Sequence, residues 1–198
     1  MEAKKKNALI FTIITLAFLS PIIISWWVLN YTSVVSDGSK SNYGDLIEPP
    51  RQIDNLPLFE PVASKDYELY GKWSMVYLTE DCDQTCIDNL YRMRQIHIAM
   101  DKHSLRVQRV LLLLNQDQGN LKTLFVDYAG QRVINADASV LQELLQTFRL
   151  AEADRPLSDH RIYIVDPLGN LMMSYPPDIN PRSIMKDLKK LLKTSRIG

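Results

Sequence analysis

Hydrophobic residues run unbroken near the start of this chain and in short, punctuated bursts along the rest of it. From Ala8 to Leu29 (ALIFTIITLAFLSPIIISWWVL) 22 residues pass without a charged side chain. As a helix that run measures roughly 33 Å, enough to cross a hydrocarbon core of about 30 Å. Pro21 lies inside it, which a membrane helix accommodates where a neighbouring group satisfies the carbonyl that proline leaves without an N–H. Trp26, Trp27 and Tyr31 sit where an interfacial aromatic belt is expected. Lys4, Lys5 and Lys6 precede the run, and no basic residue follows it until Lys40. The positive-inside rule then places the N-terminus in the cytoplasm and everything after Tyr31 outside. A cleaved signal peptide is the competing reading, but its apolar region is usually about 7–15 residues, shorter than this one.

After the apolar run, residues 32–65 are rich in Ser, Asp, Asn and Pro, as suits a tether followed by an extended arm. Tyr43 to Ile47, with Pro49 and Pro50, reads as an arm that packs on the domain. The expected organisation is a cytoplasmic tail (1–7), a transmembrane anchor (8–29), a linker and extended arm (30–55) and one compact domain (56–198). In that domain Trp73–Thr79 is β-prone and closed by polar residues, the pattern of a central strand. Thr85 to about Asp101 has helical periodicity, with Ile87, Leu90, Tyr91, Arg94 and Ile98 on one side and Met93, His97 and Met100 beside them. Val107–Leu114 is apolar almost throughout, as a parallel strand buried on both faces requires. Leu121–Tyr128 reads as a short helix and Arg132–Asn135 as a short strand. Asp137 can cap a helix carrying Val140, Leu141, Leu144, Leu145 and Phe148 on one stripe.

Near the end, Arg161–Val165 and Leu171–Tyr175 flank Asp166-Pro-Leu-Gly-Asn170, a hairpin pattern. Asn180 followed by Pro181 opens a last helix that turns Ile184, Leu188, Leu191 and Leu192 toward the core. A βαβ unit, a connecting region and a hairpin with a closing helix together make an α/β layer sandwich.

Charge adds little to this picture. Lys+Arg and Asp+Glu are equal at 23 each, so no net field draws the chain toward nucleic acid. Nor is there a GxSxG, a phosphate-cradling glycine loop or an HExxH to suggest hydrolysis or nucleotide chemistry. The two cysteines change the picture more. They are too few for a disulfide-stapled scaffold, yet Cys82 and Cys86 stand four apart where a strand hands over to a helix. A helix beginning there favours the thiolate through its free N–H groups and dipole, and residues four apart share one face. Such a pair serves disulfide exchange, or it offers soft sulfur ligands to Cu(I), zinc or an iron–sulfur centre, which need further donors.

Of the three histidines, His97 lies about 16 Å further along the helix than Cys86, and His103 lies beyond the helix end. His160 directly precedes a hairpin strand, and in a thioredoxin-like fold the loop before that strand lies beside the cysteine turn. Asp81, Asp83 and Asp159 flank these positions and are read chiefly as caps facing water. Met172 and Met173 are read as strand residues, one of them in the core.

Gly71-Lys72 ahead of a strand, Cys-x-x-x-Cys at its end, and Asp159-His160 leading into Ile162-Tyr-Ile-Val-Asp-Pro-Leu-Gly169 together resemble the Sco/SenC family of copper chaperones. The resemblance is one of fold over about Leu56–Lys193 and of identity around 71–86 and 159–169. It departs from the family pattern in Asp83-Gln84-Thr85 and Ile87, where prolines are usual, and in Asn115–Gly119. It implies a thioredoxin-like domain behind one transmembrane helix, in a bacterial inner membrane and facing the periplasm. It further implies one copper ion held by Cys82, Cys86 and His160, with a cytochrome c oxidase subunit or another cuproprotein as partner. Two other readings of the same residues stay open: a metal-free thiol–disulfide oxidoreductase using Cys82 and Cys86, and a scaffold in which the pair is a structural disulfide.

Overall fold

The computed structural model describes residues 2–31, 41–53, 58–59, 71–114, 128–136 and 141–195. It divides into two units, Met1–Ser41 and Asn42–Gly198.

The first unit is a single helix, α1 (Glu2–Tyr31). Its segment Lys5–Val28 is long and apolar enough to cross a membrane. The polar side chains within it are satisfied by the helix itself. Thr12 and Thr15 donate to the carbonyls of Ala8 and Phe11. Asn30 donates to the carbonyl of Trp26. Pro21 lacks the N–H that would reach the Ala17 carbonyl, and the Ser20 hydroxyl donates to that carbonyl instead, at 3.1 Å. In hydrocarbon an unsatisfied carbonyl costs several kcal/mol, so this replacement lets a proline sit in mid-span.

The second unit is a mixed sheet in the order β1-β7-β6-β3-β4-β5-β2. Its strands are β1 (Asp45–Gln52), β2 (Leu58–Phe59), β3 (Trp73–Thr79), β4 (Val107–Leu113), β5 (Gln131–Ala136), β6 (Ile162–Val165) and β7 (Asn170–Tyr175). Pairing is parallel for β3 with β4 and β4 with β5, and antiparallel for the rest. Every residue of β3 and β4 is buried, as a strand covered on both faces must be. Helices α2 (Gln84–Ala99), α3 (Leu141–Phe148) and α4 (Pro181–Thr194) complete the layers, and a 3-10 turn over Asp101–Arg106 links α2 to β4. One core gathers Met75, Tyr77, Cys86, Leu90, Met93, Leu111 and Ile164 under α2 and α4. The other gathers Val76, Leu78, Val110, Leu112, Leu144, Phe148 and Tyr163 under α3. This is the α/β thioredoxin-like sandwich that the sequence pattern implies.

Strand β1 is the edge of the sheet and buries Ile47, and Ile53 just beyond it, in the α3-side core. Its register slips between Leu46 and Arg51, where Pro49 and Pro50 have no N–H to give to β7. The hairpin β6–β7 closes as expected. Gly169 takes a φ of 84°, and the Asp166 carboxylate accepts from the amides of Leu168 and Asn170. Asn180 caps α4 by accepting from the Arg182 amide, with Pro181 in the first turn. Of the two methionines, Met173 is buried and Met172 is half-buried.

Helix α2 buries only part of the stripe expected of it, Leu90 with Met93 and Met100 beside it. Cys86, Asn89, Leu90, Met93 and Ile96 face the sheet, whereas Tyr91 and Ile98 are exposed. Two overlapping apolar stripes exist in the sequence, and the one that meets the sheet begins at the cysteine. The short helix read over Leu121–Tyr128 and the Asp137 cap fall outside the described residues, apart from Tyr128 at the edge of a turn. So does Leu56, the expected start of the domain.

Arg109 is a polar anomaly in β4. It is 4 % exposed, and its Nη2 donates to the Ala129 carbonyl at 2.6 Å. Its Nε and Nη1 have no hydrogen-bond partner among the described residues. Burial and then the charge of Arg94 push its pKa down. Nearby, burial first and Arg109 second, with Lys72 adding to them, hold His97 below the ordinary histidine range against hydrogen bonds to the Val107 and Ser104 carbonyls that raise it. A group whose pKa falls on folding takes up its proton first in the unfolded chain. Its contribution is therefore intact above about pH 6.5 and is lost as pH falls from there through the folded-state value. Arg109→Met is expected to stabilise the chain by roughly 1–3 kcal/mol, since a buried charge with two unpaired nitrogens and one hydrogen bond, to the Ala129 carbonyl, gives way to an apolar side chain of similar length. It should also lessen the loss of stability on acidification below about pH 6.5, because one cause of the depressed His97 pKa is gone. Urea unfolding at pH 7.5 and pH 5.5 measures both effects. A variant less stable than the parent at pH 7.5 would contradict the first.

Candidate functional site: the cysteine turn and its histidine

Cys82 and Cys86 are joined in a disulfide, with Cα atoms 5.0 Å apart, at the turn from β3 into α2. Asp83 is the N-cap of α2, and its carboxylate accepts from the Cys86 amide at 3.0 Å while its carbonyl accepts from Ile87. The helix-end amide that was expected to favour a Cys86 thiolate is thus already taken by a carboxylate. The two sulfur-bearing residues differ in access: Cys86 is fully buried in the α2-side core and Cys82 is half-buried against it. Cys82 is the side of the bond open to solvent.

His160 stands two residues ahead of the first residue of β6, with φ at 49°. That left-handed conformation costs a non-glycine residue about 1–3 kcal/mol, so the surroundings must hold it. On its N-terminal side, the Asp159 carboxylate accepts from the Arg155 amide and closes a turn. Its ring stacks on Tyr77, and Nδ1 lies 2.9 Å from the Tyr77 hydroxyl in a hydrogen bond. Tyr77 is fully buried in β3, in the same core cluster as Cys86. Burial raises its pKa, with hydrogen bonds to Asn89 and Thr79 opposing and the charge of Asp83 adding. The Tyr77 hydroxyl therefore ties His160 to β3, the strand that leads into the cysteine turn. Strand order explains the meeting: β6 runs antiparallel to β3, with Tyr77 opposite Ile162, so the residue entering β6 arrives at the end of β3 that carries the cysteines.

The three residues expected to act together thus lie on neighbouring elements, with His160 bonded to Tyr77 of the strand that ends at the cysteine turn. In this oxidised form both sulfurs are consumed by one bond, and no group of three or more His, Cys, Asp or Glu side chains among the described residues is arranged to hold a metal ion. The donor chemistry suits a soft ion only after reduction, when two thiolates and an imidazole become available. His97 is occupied elsewhere, its Nε2 donating to the Val107 carbonyl. His103 is half-buried in the 3-10 turn. Tyr77 and Asn89 were not singled out from the sequence as partners. The available signal was Asn89, a polar residue on the helix stripe that begins with Cys86.

No curated protein matches the sequence significantly. Solved structures of the same fold include apo Sco1 from Thermus thermophilus, at 16% identity and a TM-score of 0.59, covering 76% of this chain and 97% of that one. Copper-bound ScoI from Bradyrhizobium japonicum follows at 17% identity and a TM-score of 0.51, covering 71% and 96%. Copper-bound yeast Sco1 matches at 15% identity and a TM-score of 0.52, covering 64% and 81%. At these identities the likeness is one of fold alone, and it falls on proteins that the cysteine and histidine motifs resemble. Residues 73–195, which carry the disulfide, Tyr77 and His160, match the family model described as a transmembrane-like, thioredoxin-like C-terminal domain, and the chain belongs to that family.

Proposed function

We propose that this chain is a membrane-anchored copper-binding assembly factor whose cargo site is formed when the Cys82–Cys86 disulfide is reduced. The observation that carries the reading is the hydrogen bond from His160 to Tyr77, which holds an imidazole against the strand that leads into the cysteine turn. A dithiol reductant delivers two electrons and two protons to the disulfide, giving two thiols. On losing their protons these are the soft ligands that Cu(I) prefers, and His160 supplies the third donor. With Nδ1 engaged by Tyr77, Nε2 is the ring nitrogen free to bind the ion, and the Tyr77 contact then fixes the ring's orientation. The anchor is α1, placed in a bacterial inner membrane with residues 1–7 in the cytoplasm and the domain, from about residue 56, in the periplasm beyond a linker and arm. The acceptor is the copper centre of a cytochrome c oxidase subunit, served with copper or with reducing equivalents. The likeness in fold to proteins solved with copper bound supports the choice of ion.

A second reading, a thiol–disulfide oxidoreductase without metal, is favoured by the disulfide itself and by the unequal exposure of its two ends. Anaerobic Cu(I) titration of the full chain in detergent, against a competing chelator, separates the two. The reduced chain is expected to take up one ion and the oxidised chain none. His160→Ala is expected to weaken uptake by at least about 10-fold, the lower end of what even an outer-shell partner contributes. Equal uptake by reduced and oxidised chains, or indifference to His160→Ala, would exclude the Cys82–Cys86–His160 site and leave the oxidoreductase reading.

A further inference from the structure

The residue after His160 is tied to the arm that joins the domain to the N-terminal helix. Arg161 reaches across β7 to Asp45, the first residue of β1, with Nη2 and Oδ2 2.5 Å apart. On the way its Nε and Nη2 both donate to the Ser174 hydroxyl, at 3.2 and 2.9 Å. The arm immediately before Asp45 is held as well. The buried Asp187 carboxylate of α4 accepts from the amides of Tyr43 and Gly44 at 2.8 and 3.1 Å. His160 thus stands between two restraints: its ring is held by Tyr77 from the core, and its backbone is held through Arg161 from the arm. An exposed ion pair usually contributes at most about 1 kcal/mol to stability. Here the pair is fixed at one end by a forked contact to Ser174 and borders a residue in a conformation that costs about 1–3 kcal/mol to hold.

From this geometry we infer that Asp45 is a positioning residue for His160, so that the arm ahead of the domain in the sequence is part of the support of the site. The inference uses the site proposed above, but its first readout does not depend on copper. Released from Asp45, Arg161 no longer braces the chain that enters β6. His160 can then relax out of its left-handed conformation, and its ring leaves Tyr77.

The test is NMR of the His160 imidazole nitrogens in the oxidised, metal-free full chain in detergent, with Tyr77→Phe as the reference for a lost ring contact. Asp45→Ala is expected to move the Nδ1 resonance toward its position in Tyr77→Phe. Glu48→Ala, an exposed carboxylate on the same arm, should leave it where it is. Asp45→Glu should restore much of the parent signal. Should Asp45→Ala fail to fold, Asp45→Asn and Arg161→Lys, which keep side-chain volume, take its place. In the reduced chain Asp45→Ala is expected to weaken copper uptake by about 10-fold, as loss of an outer-shell support does. An unmoved Nδ1 resonance in Asp45→Ala overturns the inference whatever the copper result. If His160→Ala leaves copper uptake unchanged while the resonance moves as expected, the copper reading fails and the positioning role stands.

Discussion

Cys86→Ala is expected to reduce copper affinity by more than about 100-fold, beyond the loss of an outer-shell partner, because it removes a ligand outright. Alanine is the cleaner substitution here, since a serine hydroxyl would be buried without an assured partner at a position 0% exposed. The same variant leaves Cys82 as a lone, half-buried thiol. On the exchange reading, an external thiolate would attack the Cys82 sulfur of the parent chain, break the disulfide and displace Cys86 as a thiolate, which would later attack the mixed disulfide and release the partner. Without Cys86 that release cannot occur. Incubated with a small-molecule disulfide, the Cys82 thiolate attacks it, displaces one thiol and keeps the other as a mixed disulfide, which should persist and be seen as a mass increase that a reductant reverses. Cys82→Ala should lose copper equally and accumulate no comparable adduct, because Cys86 is buried. Removing the bond also relaxes a constraint on the unfolded chain, worth about 2 kcal/mol for so short a loop in the chain-entropy account. Parent-like copper uptake in Cys86→Ala would show that the ion binds elsewhere.

Asp187→Ala is expected to destabilise the domain by roughly 2–4 kcal/mol, because two buried donors and one part-buried donor lose their acceptor at once and each buried unpaired donor costs roughly 1–3 kcal/mol. Those donors are the amides of Tyr43 and Gly44 and the Tyr175 hydroxyl, all directed at one carboxylate oxygen of a residue 3% exposed. The Tyr175 hydroxyl also lies 2.8 Å from the Met173 sulfur, a much weaker acceptor. Burial first, and the Asp187 carboxylate after it, drive the Tyr175 pKa far above its ordinary value, so the hydroxyl stays a donor at neutral pH. The start of the arm has no room to rearrange: a Cβ on Gly44 would lie 2.6 Å from the Tyr175 ring and 2.8 Å from Met173. Thermal unfolding should fall by roughly 10 °C, and hydrogen exchange should speed up at Tyr43 and Gly44 before it does in β3. A loss below about 1 kcal/mol would mean that water takes the place of the carboxylate.

The central elements of the domain were legible because their patterns are strong. Strand β3 runs over the seven residues read for it, β4 ends one residue short of Leu114, and Asn180-Pro181 opens α4 where the cap signal stands. What hid from the sequence is polar and long-range. Asp187 sits on the apolar stripe of α4, in a place where a carboxylate reads as surface until Tyr43 and Gly44, more than 140 positions away, arrive to bond it. Arg161 read as a strand residue, and its pairing with Asp45 depends on β1 lying beside β7, which no local pattern encodes. The cysteines and His160 stood out by residue type and spacing. Tyr77 did not, because a tyrosine inside a buried strand is core by every local rule. Its second role follows only from the antiparallel placing of β6 against β3. The rotation of α2 was misread for a related reason, since the helical period alone does not say which of two stripes meets the sheet.

Copper K-edge absorption on the reduced, Cu(I)-loaded full chain tests the proposed site most directly. The expected spectrum contains two sulfur scatterers and one imidazole nitrogen, with the imidazole signal lost in His160→Ala and weakened in Tyr77→Phe. An all-sulfur environment, or an imidazole signal that survives His160→Ala, would contradict the assignment.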